Sequence, residues 1–255
     1  MSLIENPDAL KTEAKSLFHK LIGSVKWLWS LLPPLHPAGI PFFAGFTVGT
    51  LFLTLIWDDF LFIGVVLTLW CAYFFRDPKR VTPDDETLVI APADGMVSMI
   101  EEVTLPAEFD TEDTATYTRV SIFLNVFDVH IQRIPITGTI KEVVYRPGKF
   151  LNACLDKASD ENERSSVLME TASGDTFAFV QIAGFIARRI INDLKKDQAV
   201  TAGSRYGLIR FGSRVDLYLP KNMAPLVCVG QRMIGGETVM AITKGAQEKR
   251  NGVVR

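Results

Sequence analysis

Residues 206–220 read YGLIRFGSRVDLYLP. Leu208, Phe211, Val215, Leu217 and Leu219 are apolar, and from Val215 to Leu219 they alternate with polar or partly polar residues. That is the period-two pattern of a half-buried strand. Gly212-Ser213 interrupts it. In an ordinary strand such a pair marks a bulge or bend where no side chain is needed. It also has a chemical reading. With no Cβ, a glycine carbonyl is open to close approach and tolerates a strained backbone. A serine directly after it can attack that carbonyl once a base removes its proton.

Outward from this stretch, short apolar runs broken by Gly, Pro and Asp recur through the second two-thirds of the chain. The runs Leu88–Ile90, Met96–Val103, Thr118–Asn125, Thr139–Tyr145, Ser166–Glu170, Thr176–Ile182, Leu208–Phe211 and Val215–Leu219 predict strands. Strands this short and this frequent predict a mainly β fold, a sandwich or barrel-like domain. Pro92–Val97 and Pro135–Ile140 share a Pro-x-x-Gly-x-aliphatic turn, a weak internal repeat. Val229–Ile242 (VGQRMIGGETVMAI) resembles the hairpin of lipoyl- and biotinyl-carrier domains without their modified lysine, so the shape is expected and the modification is not.

A chain of 255 residues carries enough core for one domain with an appendage. Its net charge of −2 supplies no basic field for nucleic acid. Cys71, Cys154 and Cys228 show neither metal-ligand spacing nor a disulfide framework, which fits a reducing compartment. No cleavable signal peptide is expected. A mean hydropathy of +0.19 is high for a soluble protein, and the excess lies near the N-terminus. Residues 8–32 form an expected amphipathic helix with Lys11, Lys15, Lys20 and Lys26, suited to a membrane interface. Two uncharged apolar runs follow, Ile40–Trp57 and Phe60–Phe75, split only by Asp58-Asp59. As helices they span about 27 and 24 Å, slightly less than a hydrocarbon core of about 30 Å. They predict a short membrane hairpin whose basic flanks, Arg76, Lys79 and Arg80 on one side, put both ends in the cytoplasm. Gly45 and Gly49 make a GxxxG pattern that would let the limbs pack closely. The expected domains are 1–37 (amphipathic helix), 38–76 (anchor) and 77–255 (catalytic).

After residue 76 the only imidazole is His130, in FLNVFDVHIQR. A lone histidine in an apolar run is most often a satisfied core residue. A base for Ser213 would also need a carboxylate to orient it. Asp94, in a Pro-Ala-Asp-Gly turn, and Asp128, two residues before His130, both qualify, and spacing does not choose between them.

APADG at 91–95, FLNVFDVHIQRIPITG at 123–138, YRPGKFLNA at 145–153, QIAGFIARRI at 181–190 and RFGSRVDLYLP at 210–220 occur in that order. Together with HPAG at 36–39 and FFRDP at 74–78 they resemble the phosphatidylserine decarboxylase proenzymes, more closely the short bacterial and archaeal subfamily. The resemblance implies self-cleavage between Gly212 and Ser213, with a large chain 1–212, a small chain 213–255 and a pyruvoyl cofactor derived from Ser213. It places an Asp–His–Ser triad on Asp94, His130 and Ser213, with Asp94 fixing the His130 tautomer. It further implies phosphatidylserine as membrane partner, the inner membrane of a bacterium with the catalytic domain on its cytoplasmic side, and no metal. Arg188 and Arg189 are the expected phosphate ligands, and a homodimer of the two-chain unit is left open. Two other classes remain beside it: a membrane-anchored serine hydrolase using Asp94, His130 and Ser213, although the chain lacks a G-x-S-x-G elbow, and a tethered carrier-like domain.

Overall fold

The computed structural model of the chain describes residues 34–111, 114–148, 162–184, 189–210 and 213–243. The expected amphipathic helix over 8–32, Cys154, Arg188 and Gly212 lie outside the described residues.

A single 3₁₀ turn, Pro37–Gly39, is capped by His36, whose Nδ1 accepts from Ala38 N at 3.2 Å. It leads into α1 (Ile40–Thr54), and α2 (Phe60–Phe74) returns beside it. Polar side chains in these limbs satisfy themselves locally: Thr47, Thr50, Thr54 and Thr68 each donate to the carbonyl four residues earlier. The base of the hairpin is closed by bonds from His36 N to Phe75 O (2.8 Å) and Asp77 N to Pro34 O (2.6 Å). There Cys71, Phe74 and Phe75 are fully buried against Val129, Ile131 and Leu208 of the β region. Farther out, Val48, Leu51, Phe52, Leu55, Ile56 and Phe62 are all exposed. The apolar face therefore changes from core to surface along the hairpin. The GxxxG expectation is corrected. A Cβ at Gly45 or Gly49 would touch nothing within 4 Å, and the close crossing is that of Gly64 against the Thr50 side chain.

The β region comprises β1 (Leu88–Ile90), β2 (Gly95–Val103), β3 (Tyr117–Leu124), β4 (Ile131–Arg133), β5 (Gly138–Arg146), β6 (Arg164–Glu170), β7 (Thr176–Ala183), β8 (Ile190–Asn192), β9 (Ala199–Val200), β10 (Arg205–Ile209), β11 (Ser213–Pro220), β12 (Arg232–Met233) and β13 (Val239–Ile242). The mainly β expectation holds, and each predicted run matches a strand to within a few residues. An eight-stranded antiparallel sheet, ordered β12-β2-β3-β11-β7-β6-β5-β9, curls into a half-barrel; β4-β10-β8 and β1-β13 form two small sheets. The turn within Val229–Ile242 joins β12 and β13, which pair outward with β2 and β1.

The internal repeat is real in three dimensions. The two Pro-x-x-Gly turns open β2 and β5 and bond to each other reciprocally: Ile90 N donates to Pro135 O and Arg133 N to Pro92 O, both at 2.8 Å. A second repeated arm follows the same symmetry. Ile140 N donates to Gln198 O and Val97 N to Gln231 O, both at 2.9 Å, each beside a positive-φ residue, Asp197 (64°) and Gly230 (87°).

β11 lies mid-sheet between β3 and β7, and it departs from the half-buried expectation: both its faces are covered. Leu217 and Leu219 enter the main core, and Val215 packs in a second cluster beside it. On the other face Arg214 and Asp216 are 2% and 1% exposed. Arg214 Nε and Nη2 donate to the two Asp216 oxygens at 2.8 and 2.7 Å, so the buried charges satisfy one another, as buried ions must.

Candidate active site

β10 ends at Ile209 in one sheet and β11 begins at Ser213 in another, so the chain passes from sheet to sheet at a corner between these two residues. Both sides of that corner are clamped. Ser213 pairs with Leu124 at the end of β3 and with Ala183 at the end of β7. Ile209 N donates to His130 O at 3.2 Å. His130 is brought there by the turn after β3, where Asp128 N donates to Asn125 O (3.0 Å) and Asn125 N to Asp128 Oδ2 (2.9 Å). The structure thus brings His130 and Ser213 to the same corner from opposite flanks.

Both are fully buried. His130 Nδ1 lies 2.9 Å from Asp128 O. A carbonyl only accepts, so Nδ1 carries the proton and Nε2 presents a lone pair. Nε2 and Ser213 Oγ both lack a hydrogen-bond partner among the described residues. Phe74 covers the imidazole, with ring centroids 4.2 Å apart. Burial holds the His130 pKa down at about 4, overcoming the bond to Asp128 O, with the Arg76 charge lowering it further. The ring is neutral at pH 7, the state a general base requires.

The Asp94 carboxylate is bonded to two other groups. Its Oδ2 accepts from Arg80 Nη2 at 2.6 Å and its Oδ1 from Gly235 N at 2.8 Å. Where the sequence reading expects Asp94 beside His130 Nδ1, the structure has the Asp128 carbonyl bonded to that nitrogen. The repeat separates what is structural in Asp94 from what is its own. Thr137, its counterpart, likewise accepts from an amide, Ala202 N at 3.1 Å. Asp94 adds the carboxylate and its Arg80 partner. Burial raises the Asp94 pKa; Arg80 and the Gly235 amide act in the opposite direction. Its neighbour Ala93 packs with Leu124, Ala183, Ile209 and Val215, so the Asp94 turn forms one wall around Ser213.

Arg189 is exposed, and its carbonyl accepts from Arg210 N at 3.3 Å. Several groups beside the corner were not singled out from sequence. Glu163 is buried beside Ala183, accepting from Tyr145 Oη at 2.9 Å. The backbone of Asp128 has no sequence signature at all. Arg210 did have one, standing inside the RFGSR stretch.

Residues 67–241 match the family model described as phosphatidylserine decarboxylase. The chain is 53% identical over 234 residues to a phosphatidylserine decarboxylase proenzyme of Paramagnetospirillum magneticum, covering 92% of this chain and 96% of the relative. It is 50% identical over 232 residues to a protein of the same name from Cereibacter sphaeroides, covering 91% and 100%. Nothing in these matches supports the serine-hydrolase alternative.

Proposed function

The chain belongs to the phosphatidylserine decarboxylase family, and we propose that it converts phosphatidylserine to phosphatidylethanolamine and CO2 with a pyruvoyl group made from its own Ser213. The observation that carries this reading is the pair of buried atoms without a hydrogen-bond partner among the described residues, Ser213 Oγ and His130 Nε2, flanking one strand junction. A buried hydroxyl and a buried lone pair without partners are costly to keep, roughly 1–3 kcal/mol each, and such groups call for an explanation.

In this reading His130 Nε2 takes the Ser213 hydroxyl proton and Oγ bonds to the Gly212 carbonyl carbon. The C–N bond breaks and the amine takes the proton back, leaving an ester. Loss of the α-hydrogen of residue 213 expels the Gly212 carboxylate and leaves a dehydroalanine, which tautomerises to an imine whose hydrolysis by water releases ammonia. Chains 1–212 and 213–255 remain, held together by the pairing of β11 with β3 and β7. The pyruvoyl carbonyl at 213 supplies an electron sink for loss of CO2 from an amino-acid head group. Ser213, Gly212 and His130 carry the processing. Asp94 enters as the residue that fixes the adjoining wall, with the imidazole oriented from the Asp128 carbonyl.

The reading also places the hairpin, 38–76, in the inner membrane with the catalytic part, 77–255, on the cytoplasmic side. Pro37–Thr54 is long and apolar enough to cross a membrane. Burying a large apolar side chain is worth roughly 1.5–3 kcal/mol. Six such side chains left in water would forfeit an amount comparable with a whole domain's stability, about 5–15 kcal/mol.

An intact-mass spectrum of the purified protein tests the proposal. Two chains are expected, the smaller of 43 residues (213–255) and blocked to Edman degradation. The same preparation should release CO2 from phosphatidylserine vesicles. A single uncut chain that decarboxylates the lipid would overturn the processing step.

A further inference from the structure

The hairpin limbs do not close on each other along their length. Gly64 is covered by Thr50, but the space over Gly45 and Gly49 is empty. The result is a groove of about 430 Å³ bounded by Phe42, Phe46 and Leu53 on α1 and by Ile63 and Leu67 on α2. Its one hydroxyl, on Thr50, is already bonded to Phe46 O at 2.7 Å. The α1 wall runs from Pro41 to Leu53, about 18 Å at the α-helical rise.

The inner end of the groove meets charge. Phe42 stacks on Phe75, centroids 5.4 Å apart, and the Arg210 guanidinium lies 5.0 Å from the Phe42 centroid. Arg210 sits three residues before Ser213. It is bonded through its backbone to Arg189 on the neighbouring strand end, and burial, with the Arg189 charge second, lowers the Arg210 pKa. Arg210 Nε is buried without an acceptor among the described residues. The Arg210 guanidinium, its Nε without an acceptor among the described residues and its strand end bonded to that of a second arginine, suits an oxyanion that can be bound in a forked manner.

We propose that the groove and the two arginines form one lipid site: an acyl chain of a glycerophospholipid lies over Gly45 and Gly49, and its phosphate sits between Arg210 and Arg189. The polar head is then delivered to residue 213. The inference deepens the decarboxylase reading and rests on it for the identity of that head. Gly45 and Gly49 leave this wall bare, so a bulky side chain at either would narrow the channel. The exposed outer faces at Val48, Phe52 and Phe62 meet bulk lipid, whereas the groove takes one chain.

The test uses the full-length Ser213→Ala chain, in which no processing occurs, in detergent micelles. The probe is phosphatidylserine carrying a mid-chain diazirine. Photo-adducts should concentrate on Phe46, Leu53 and Leu67. Arg210→Gln should raise the lipid concentration for half-maximal labelling about tenfold. Gly45→Leu with Gly49→Leu should remove the groove adducts while Val48 and Phe52 still label. Equal labelling of groove and outer faces, or a half-saturation unmoved by Arg210→Gln, would overturn the site. The mapping itself needs no groove variant, so it stands even where the leucine variant fails to fold. Labelling of an uncut chain is also indifferent to whether the lipid is decarboxylated, so failure of the lipid site and failure of the enzymatic reading remain distinguishable.

Discussion

His130 Nδ1 lies 2.9 Å from the carbonyl oxygen of Asp128, and this backbone contact, not a carboxylate, sets which nitrogen of the imidazole is bare. The Asp128 side chain is engaged elsewhere, accepting from Asn125 N and from the Arg232 guanidinium.

Asp128→Asn should therefore keep the tautomer and self-cleave at a rate within about threefold of the natural chain, since the amide oxygen can still accept from Asn125 N and the lost partner, Arg232, is solvent-exposed, which keeps the pair's worth to about 1 kcal/mol or less. His130→Ala should abolish cleavage. Asp94→Asn should slow it by loosening the Arg80-bound wall, about tenfold for a lost charge-assisted bond. Gel-resolved appearance of the 43-residue chain reads all three. A block in Asp128→Asn as complete as that in His130→Ala would return the orienting role to a carboxylate.

Ser213→Ala should accumulate as one chain of 255 residues with no decarboxylase activity, because nucleophile and cofactor precursor vanish together. Since Ser213 Oγ has no hydrogen bond to lose among the described residues, the variant should melt within a few degrees of an uncut His130→Ala reference. Any 43-residue product from Ser213→Ala would show that the junction lies elsewhere.

The buried imidazole predicts an unusual pH profile. The folded pKa of His130 is about 4, below its ordinary 6.5, so the unfolded chain binds the extra proton between those values. Its contribution to stability is complete above pH 6.5 and is lost as pH falls toward 4, amounting to roughly 3 kcal/mol. Asp94, whose pKa is raised, acts with the opposite sign, losing stability as pH rises above 3.8. Denaturant titrations of the natural chain and His130→Gln should therefore diverge in slope between pH 4 and 6.5. Cleavage should also persist at pH 5.5, where an ordinary histidine would be mostly protonated. A cleavage midpoint near 6.5 would contradict the buried, neutral base.

The hairpin is not a detachable anchor. Phe74 and Phe75 are fully buried and Phe74 covers His130, so a chain starting at Asp77 loses part of its core. Two deleted buried phenylalanines cost about 3–5 kcal/mol each, and such a chain should neither fold stably nor cleave. Replacing only the tip, residues 47–63, by a short polar linker should leave cleavage intact and slow turnover of phosphatidylserine in vesicles. Equal vesicle rates with and without the tip would show that the exposed apolar residues do not serve membrane access.

The sequence by itself determined what is periodic or contiguous. Alternation over 215–219 and the short runs before it marked the strands, because side-chain direction repeats every two residues whatever lies opposite. Uncharged runs at 40–57 and 60–75 marked the hairpin, and five ordered motifs marked the family. Only the tertiary structure decided which groups meet. The three-residue strands β4 and β8 exist because β10 supplies their partners, and no local pattern announces so short a strand. The order of eight strands, the burial of Arg214 with Asp216 on the face read as polar, and the opening over Gly45 and Gly49 all depend on neighbours distant in the chain. So do the different bonding partners of Asp94 and Asp128. A side chain's chemistry is written in its letter, but a backbone carbonyl is common to every residue. Its use as the partner of His130 comes from the direction in which the 125–128 turn points it.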